Sequence, residues 1–202
     1  MGPPADDIVL SLPPNAPRVP ANAFTRWLGR TVLRLGGWRM EGAFPDIPKL
    51  VLIAAPHSSN WDGLWGLAVK LALGLDARIL GKDTLFKIPL LGLLLRRMGV
   101  IPINRRVAQG VAGQMAMMIR DADQLWLAVA PEGTRKLVER WKTGFWKIAH
   151  AAEVPVLPVY FHYPDKVVGV GPTFDLSDDM AADIARIRAW YRPWQGKHHG
   201  VE

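Results

Sequence analysis

His57 and Asp62 are separated by Ser58-Ser59-Asn60-Trp61, directly after the apolar run Leu50-Val51-Leu52-Ile53-Ala54-Ala55 and Pro56. An imidazole and a carboxylate this close can act as a general-base pair. A carboxylate bonded to one ring nitrogen fixes the tautomer and leaves the other nitrogen to take a proton from a hydroxyl. On an unbroken helix, five steps of about 100° would hold the two side chains apart. A histidine placed just before the helix escapes that limit, because its ring can fold back over the first turn. Ser59-x-x-Asp62 also fits a capping box, in which Asp62 would serve backbone amides only. These residues alone leave both readings open.

Two other polar clusters also follow apolar runs. Val100-Ile101-Pro102-Ile103 leads into Asn104-Arg105, and Leu125-Trp126-Leu127-Ala128-Val129-Ala130 is stopped by Pro131-Glu132-Gly133-Thr134-Arg135. Glycine at 133 permits a tight turn and close approach of a ligand to the backbone. Arg105 and Arg135 carry planar guanidinium forks that match a phosphate, as a lysine ammonium does not. A tuned base beside two anion forks predicts a substrate that carries both a hydroxyl and a phosphate.

These clusters need a scaffold that ends several strands near one another. The run at 50–55 reads as a strand buried on both faces. Trp61, Leu64, Trp65, Ala68, Leu71 and Ala72 then repeat at helical spacing behind Ser58 and Ser59, either of which offers an N-cap oxygen. Further strands are expected at 76–82, 100–103, 125–130 and 154–161. Helices are expected from Pro89 to Gly99, from Val107 to Asp123, from Trp141 to Ala152, and from a Ser177 cap to Tyr191. Alternating strands and helices predict a single α/β layered domain with a mostly parallel or mixed central sheet flanked by helices. Ligands of such domains bind where strands end and loops open.

Upstream, residues 1–22 form a proline-rich lead-in. Residues 23–40 then read as an amphipathic helix, with Phe24, Trp27, Leu28, Val32, Leu35 and Trp38 set against Arg26, Arg30 and Arg34. An interfacial membrane helix needs this pattern, and a helix packed on its own domain fits it equally well. Residues 41–202 would make up the domain that bears the chemistry.

The chain has 202 residues, half of them hydrophobic, which suffices for one substantial core. It has no cysteine, which excludes disulfides, thiolate nucleophiles and thiolate zinc sites. A net charge of +7 predicts an anionic partner, and nine tryptophans suit both a core and a membrane interface. No apolar stretch is long enough to span a bilayer, and the acidic, proline-bearing start does not read as a secretory signal. The expectation is a peripheral protein on an anionic lipid surface. Nucleic acid is a poor match, because no recognition helix or aromatic platform accompanies the charge.

The sequence resembles the glycerolipid acyltransferase superfamily, the lysophosphatidate (1-acylglycerol-3-phosphate) acyltransferases and their relatives, and looks like a compact bacterial branch of it. The resemblance rests on His57-x4-Asp62, on Lys82-x-x-Leu85-Phe86-x-x-Pro89-x-x-Gly92 running on to Asn104-Arg105, on Pro131-Glu132-Gly133-Thr134-Arg135, and on Val154-Pro155-Val156-Leu157-Pro158. It implies transfer of a fatty acyl group from acyl-CoA or acyl-ACP to a lysophospholipid hydroxyl in phospholipid biosynthesis. His57 would be the base and Asp62 its orienting partner. Arg105, Glu132, Gly133, Thr134 and Arg135 would hold the acceptor. No permanently bound cofactor and no metal is implied, and the place of action would be the cytoplasmic face of the inner membrane. The sequence departs from the family after Arg135, where Lys136-Leu137-Val138-Glu139-Arg140 replaces the usual small polar continuation, and this leaves the identity of the acceptor lipid open. A non-catalytic lipid-binding domain on the same fold is the alternative.

Overall fold

Strand β2, Lys49–Ala55, is buried along almost its whole length, as a seven-residue aliphatic run requires. Its odd-numbered residues Val51, Ile53 and Ala55 belong to one core and its even-numbered Leu50 and Leu52 to another, so the strand feeds both faces of the sheet. Each fully buried aliphatic side chain of this kind contributes about 1.5–3 kcal/mol relative to exposure. The computed structural model describes residues 8–20, 22–103 and 110–202.

The remaining elements are α1 (Ala23–Gly36), β1 (Arg39–Glu41), α2 (Asn60–Leu73), β3 (Ala77–Lys82), α3 (Pro89–Arg97), β4 (Val100–Ile103), α4 (Val111–Asp121), β5 (Leu125–Val129), α5 (Gly144–Ala152), β6 (Val156–His162), β7 (Val167–Val170) and α6 (Met180–Tyr191), with a 3₁₀ turn over Asp83–Lys87. The described residues form one seven-stranded sheet in the order β1-β7-β6-β2-β5-β3-β4. Every pairing is parallel except β6 with β7. This is the mixed, mostly parallel α/β layer that the alternation of elements predicts.

Helices α1 and α2 cover one face, and α4, α5 and α6 cover the other. Helix α1 lies so close to α2 that Gly29 faces the backbone of Ala68 and Ala72, and a methyl group there would meet Ala72 N at 2.4 Å. At the far end of α2, the buried Lys70 ammonium donates to the carbonyls of Leu75 and Ala77 at 2.9 Å each, tying the helix to the start of β3. On the opposite face, the Tyr191 hydroxyl of α6 lies 2.8 Å from the Ile53 carbonyl and 3.1 Å from that of Val159, bridging β2 and β6.

Several sequence expectations are corrected. Trp38 does not share the exposed face of α1: it is buried, stacked on Trp65 at 5.1 Å and edge-on to Tyr163 at 4.9 Å. The helix ends before it, because Gly37 adopts φ 71° and turns the chain into β1. The helix expected from 107 begins at Val111, after Gly110 at φ 89°; residues 104–109 lie outside the described residues. The helix expected from Trp141 begins at Gly144, and Trp141 instead packs edge-on against Phe145 and Tyr191. The last helix is capped by Asp179, which accepts from the Ala182 amide at 3.0 Å, while the Ser177 amide and hydroxyl donate to Asp183. Strands β1 and β7 have no counterpart in the sequence pattern; at three and four residues they carry too little periodicity to be read.

The close approach at Gly29 gives a direct test. Gly29→Ala is expected to lower unfolding free energy by about 1–3 kcal/mol through overpacking. Gly63→Ala, at a helical glycine with open space around it, should gain up to about 1 kcal/mol. Urea titrations of the two variants measure both.

Candidate active site

Strand β2 ends at Ala55, and residues 56–59 carry the chain from the carboxyl end of the sheet into α2. The first turn of α2 is built as a capping box: Ser59 is the N-cap, its hydroxyl accepts from the Trp61 amide, and Asp62 Oδ2 accepts from the Ser59 amide at 2.8 Å. The same oxygen lies 3.2 Å from His57 Nδ1. The two roles weighed for Asp62 in the sequence therefore coexist. The helix cap holds the carboxylate, and the imidazole folds back over the turn to meet it.

Asp62 is 1% exposed. Burial pushes its carboxyl up, but hydrogen bonds from His57, from the Tyr163 hydroxyl and from the Ser59 amide outweigh it and hold the group below the ordinary carboxylate value. The charged form therefore persists at neutral pH. With Nδ1 turned to this carboxylate, Nε2 lies on the opposite edge of a ring that keeps 23% of its surface in solvent. This geometry suits a base that takes a proton from a bound hydroxyl.

The loop after β5 adjoins this turn because β5 is the parallel neighbour of β2. Glu132, 2% exposed, directs Oε2 inward, where it accepts from the His57 main-chain N–H at 2.8 Å. Burial raises its carboxyl, and the His57 amide together with the nearby imidazoles of His199 and His57 offsets only part of that rise. The geometry therefore places Glu132 beneath the histidine, with its carboxylate engaged by the backbone. Gly133 adopts φ 68° and carries the chain back out, its Cα facing the stem of Lys142. Thr134 Oγ1 accepts from the Lys136 amide at 3.4 Å, closing a local turn. Arg135 is exposed at the tip. Arg105 lies outside the described residues, just past β4.

A segment that sequence reasoning missed crosses these loops. The His198 amide donates to Ser58 Oγ at 3.2 Å, His199 Nε2 lies 3.1 Å from the Arg135 carbonyl, and Lys197 Nζ sits 5.3 Å from the Trp61 ring centroid. No local pattern in the polar C-terminal sequence marks it, since its partners are some 60–140 residues away. Burial alone would lower the His199 imidazole value, but the carbonyls of Gly200 and Arg135 and the nearby carboxylates of Glu132 and Asp62 raise it overall. Among the described residues, no cluster of three or more metal-ligating side chains is present. A cleft of about 360 Å³ bounded by His150, Glu153, Pro155 and Asp175 opens at the amino end of β6, on the edge of the sheet away from His57.

Two outcomes follow from this geometry. Glu132→Ala leaves the half-buried His57 amide without its acceptor and should cost about 1–3 kcal/mol, whereas Glu132→Gln keeps a carbonyl oxygen there and should retain most of the stability; chemical denaturation separates them. Because the folded His199 value is raised, its contribution is complete below the ordinary value of 6.5 and is lost as pH rises through the folded value. The stability difference between wild type and His199→Asn should therefore be larger at about pH 6 than at about pH 8.

No curated protein matches the chain by sequence. Among solved structures, it is similar to the 1-acyl-sn-glycerophosphate (LPA) acyltransferase PlsC from Thermotoga maritima, at 18% identity and a TM-score of 0.59, with 81% of this chain and 75% of that one covered. At that identity the likeness establishes a shared fold. Residues 44–162 match the Acyltransferase family model, a span that includes β2, the His57–Asp62 turn and the 131–135 loop, and the chain belongs to the acyltransferase family.

Proposed function

We propose that this protein transfers a fatty acyl group from a thioester, on coenzyme A or acyl carrier protein, to the free hydroxyl of a lysophospholipid such as 1-acylglycerol-3-phosphate. The observation that carries this reading is the His57–Asp62 pair, whose buried and charged carboxylate orients an imidazole that keeps 23% of its side-chain surface in solvent. In the reaction, Nε2 takes the acceptor's hydroxyl proton as the oxygen attacks the thioester carbonyl. The tetrahedral intermediate collapses with loss of the thiolate, and Nε2 returns the proton to sulfur. Asp62 stabilises the imidazolium in between. Arg135, at the tip of a loop tied to the His57 turn, and Arg105 after β4 would grip the phosphate, with Gly133 and Thr134 shaping the wall beside it. Glu132 would act on the acceptor indirectly, by holding the His57 backbone.

The lipid acceptor implies work at a membrane, and the surface supports a peripheral placement. No helix among the described residues is long and apolar enough to cross a bilayer. Helix α1 exposes Phe24, Trp27, Leu28 and Leu35, with Arg34 exposed beside them. Helix α3 exposes Leu90, Leu93 and Leu94 and ends in Arg96 and Arg97. Apolar groups flanked by arginines suit the interface of an anionic leaflet, and the cytoplasmic face of a bacterial inner membrane would provide one.

Purified protein mixed with a long-chain acyl thioester and a panel of lysophospholipids should release free thiol. No release with any acceptor would favour the non-catalytic lipid-binding alternative. His57→Ala should reduce turnover by about 10²–10⁴-fold while the domain still folds, with a stability loss of about 1–3 kcal/mol from the donor taken from Asp62. Phe24→Ser combined with Trp27→Ser should weaken sedimentation with anionic liposomes, and unchanged sedimentation would remove α1 from the membrane contact.

A further inference from the structure

Tyr163 directly follows β6, one residue beyond the stretch that matches the family. Its hydroxyl donates to Asp62 Oδ1 at 2.5 Å. The division of labour at this carboxylate is specific: Oδ2 accepts the Ser59 amide and faces His57 Nδ1, and Oδ1 takes the tyrosine. Capping the helix requires only one of these oxygens. The terminal torsion of an aspartate is broad, so a carboxylate held through one oxygen can swing out of the plane its partner needs. A second anchor on the opposite oxygen removes that freedom.

We propose that Tyr163 is a positioning residue for the His57–Asp62 pair, its hydroxyl fixing the plane of the carboxylate and moderating the pull of that carboxylate on the imidazole. The inference rests on the acyl-transfer reading for its kinetic consequence, though not for its geometry. The tyrosine is itself well held. Its ring meets Trp38 edge-on at 87°, Trp38 stacks on Trp65 of α2, and its main-chain amide donates to the Gln195 carbonyl at 2.9 Å. Burial and the adjoining Asp62 carboxylate raise the phenol well above its ordinary value, so it remains a protonated donor. Donation to Oδ1 draws negative charge away from Oδ2 and so weakens the pull of the carboxylate on the imidazole that faces it. The other charged groups around the pair are Glu132, bonded to the His57 amide, and His199, bonded to the Arg135 carbonyl. Neither contacts the tyrosine hydroxyl, so a substitution confined to that oxygen leaves them in place.

Tyr163→Phe keeps the ring against Trp38 and deletes the hydroxyl, and with it the donation to Asp62 and the contacts of that oxygen with the Trp65 and Ser59 side chains. Its kcat is expected to fall about tenfold, a fraction of what a general base supplies, with the acceptor KM within about twofold. The acid limb of the kcat/KM profile should move to higher pH, as should the ring titration of His57 followed by NMR, by about half a unit or more. Trp38→Phe, which alters the packing and keeps the hydroxyl, should leave that titration where it is in the wild type. A His57 titration that coincides in wild type and Tyr163→Phe, or one that Trp38→Phe shifts equally, overturns the proposal. The NMR titration needs no substrate. If no acceptor is acylated at all, the proposed function fails, and the ring titration still decides the role of Tyr163.

Discussion

A carboxylate removed from water persists as an anion only if hydrogen-bond donors surround it. Asp62 is such a group, and the architecture around it supplies its donors: an amide from the turn before α2, an imidazole from the end of β2, and a phenol from the end of β6. Two of these donors come from one turn, residues 56–59, and the third arrives from the end of a strand, 101 residues further on, so the full set forms only when β6 is seated beside β2. The His57–Asp62 contact is thus coupled to the folding of the domain. Its geometry could not survive as an isolated turn.

The sheet provides that register. Strand β2 lies between β5 and β6, both parallel to it, so the carboxyl ends of all three open at one edge. Helix α2 leaves β2 on one face, whereas α5, which follows the loop after β5, packs on the other. Chains that depart to opposite faces leave a crevice between their strands, which is where ligands of open α/β sheets bind. His57 and the 131–135 loop occupy its two lips, and Glu132 joins them from below through the His57 amide. The C-terminal residues 195–200 close over the same crevice, bound to Ser58 on one lip and to Arg135 on the other.

Tryptophan use follows the same division between core and surface. Trp38, Trp126 and Trp141 are buried, and Trp126 finds an acceptor for its indole N–H in the Ile47 carbonyl at 2.8 Å. Trp27 and Trp61 keep more than half or about half of their surface in solvent. Position along a helix does not separate the two groups. Trp27 and Trp38 fit one helical rhythm in the sequence, yet Gly37 breaks the helix between them and sends the second inward.

The major strands, the α/β class and the His57–Asp62 turn were legible in the sequence because each is written in neighbouring residues: a long aliphatic run, a capping signature, a proline or glycine stop. The amino acids alone also determined that an imidazole, carboxylates and guanidinium groups would follow strand ends. Other features depend on contacts distant in sequence, and only the folded chain decided them. Glu132 faces the histidine's backbone because parallel pairing sets β5 beside β2; Tyr163 reaches Asp62 across 101 residues; and His198 and His199 return to the loops at Ser58 and Arg135. Local sequence encodes torsions and periodicity, which are short-range. The donors that a buried carboxylate acquires depend on which strands come to lie side by side, and that is settled by packing of the whole sheet.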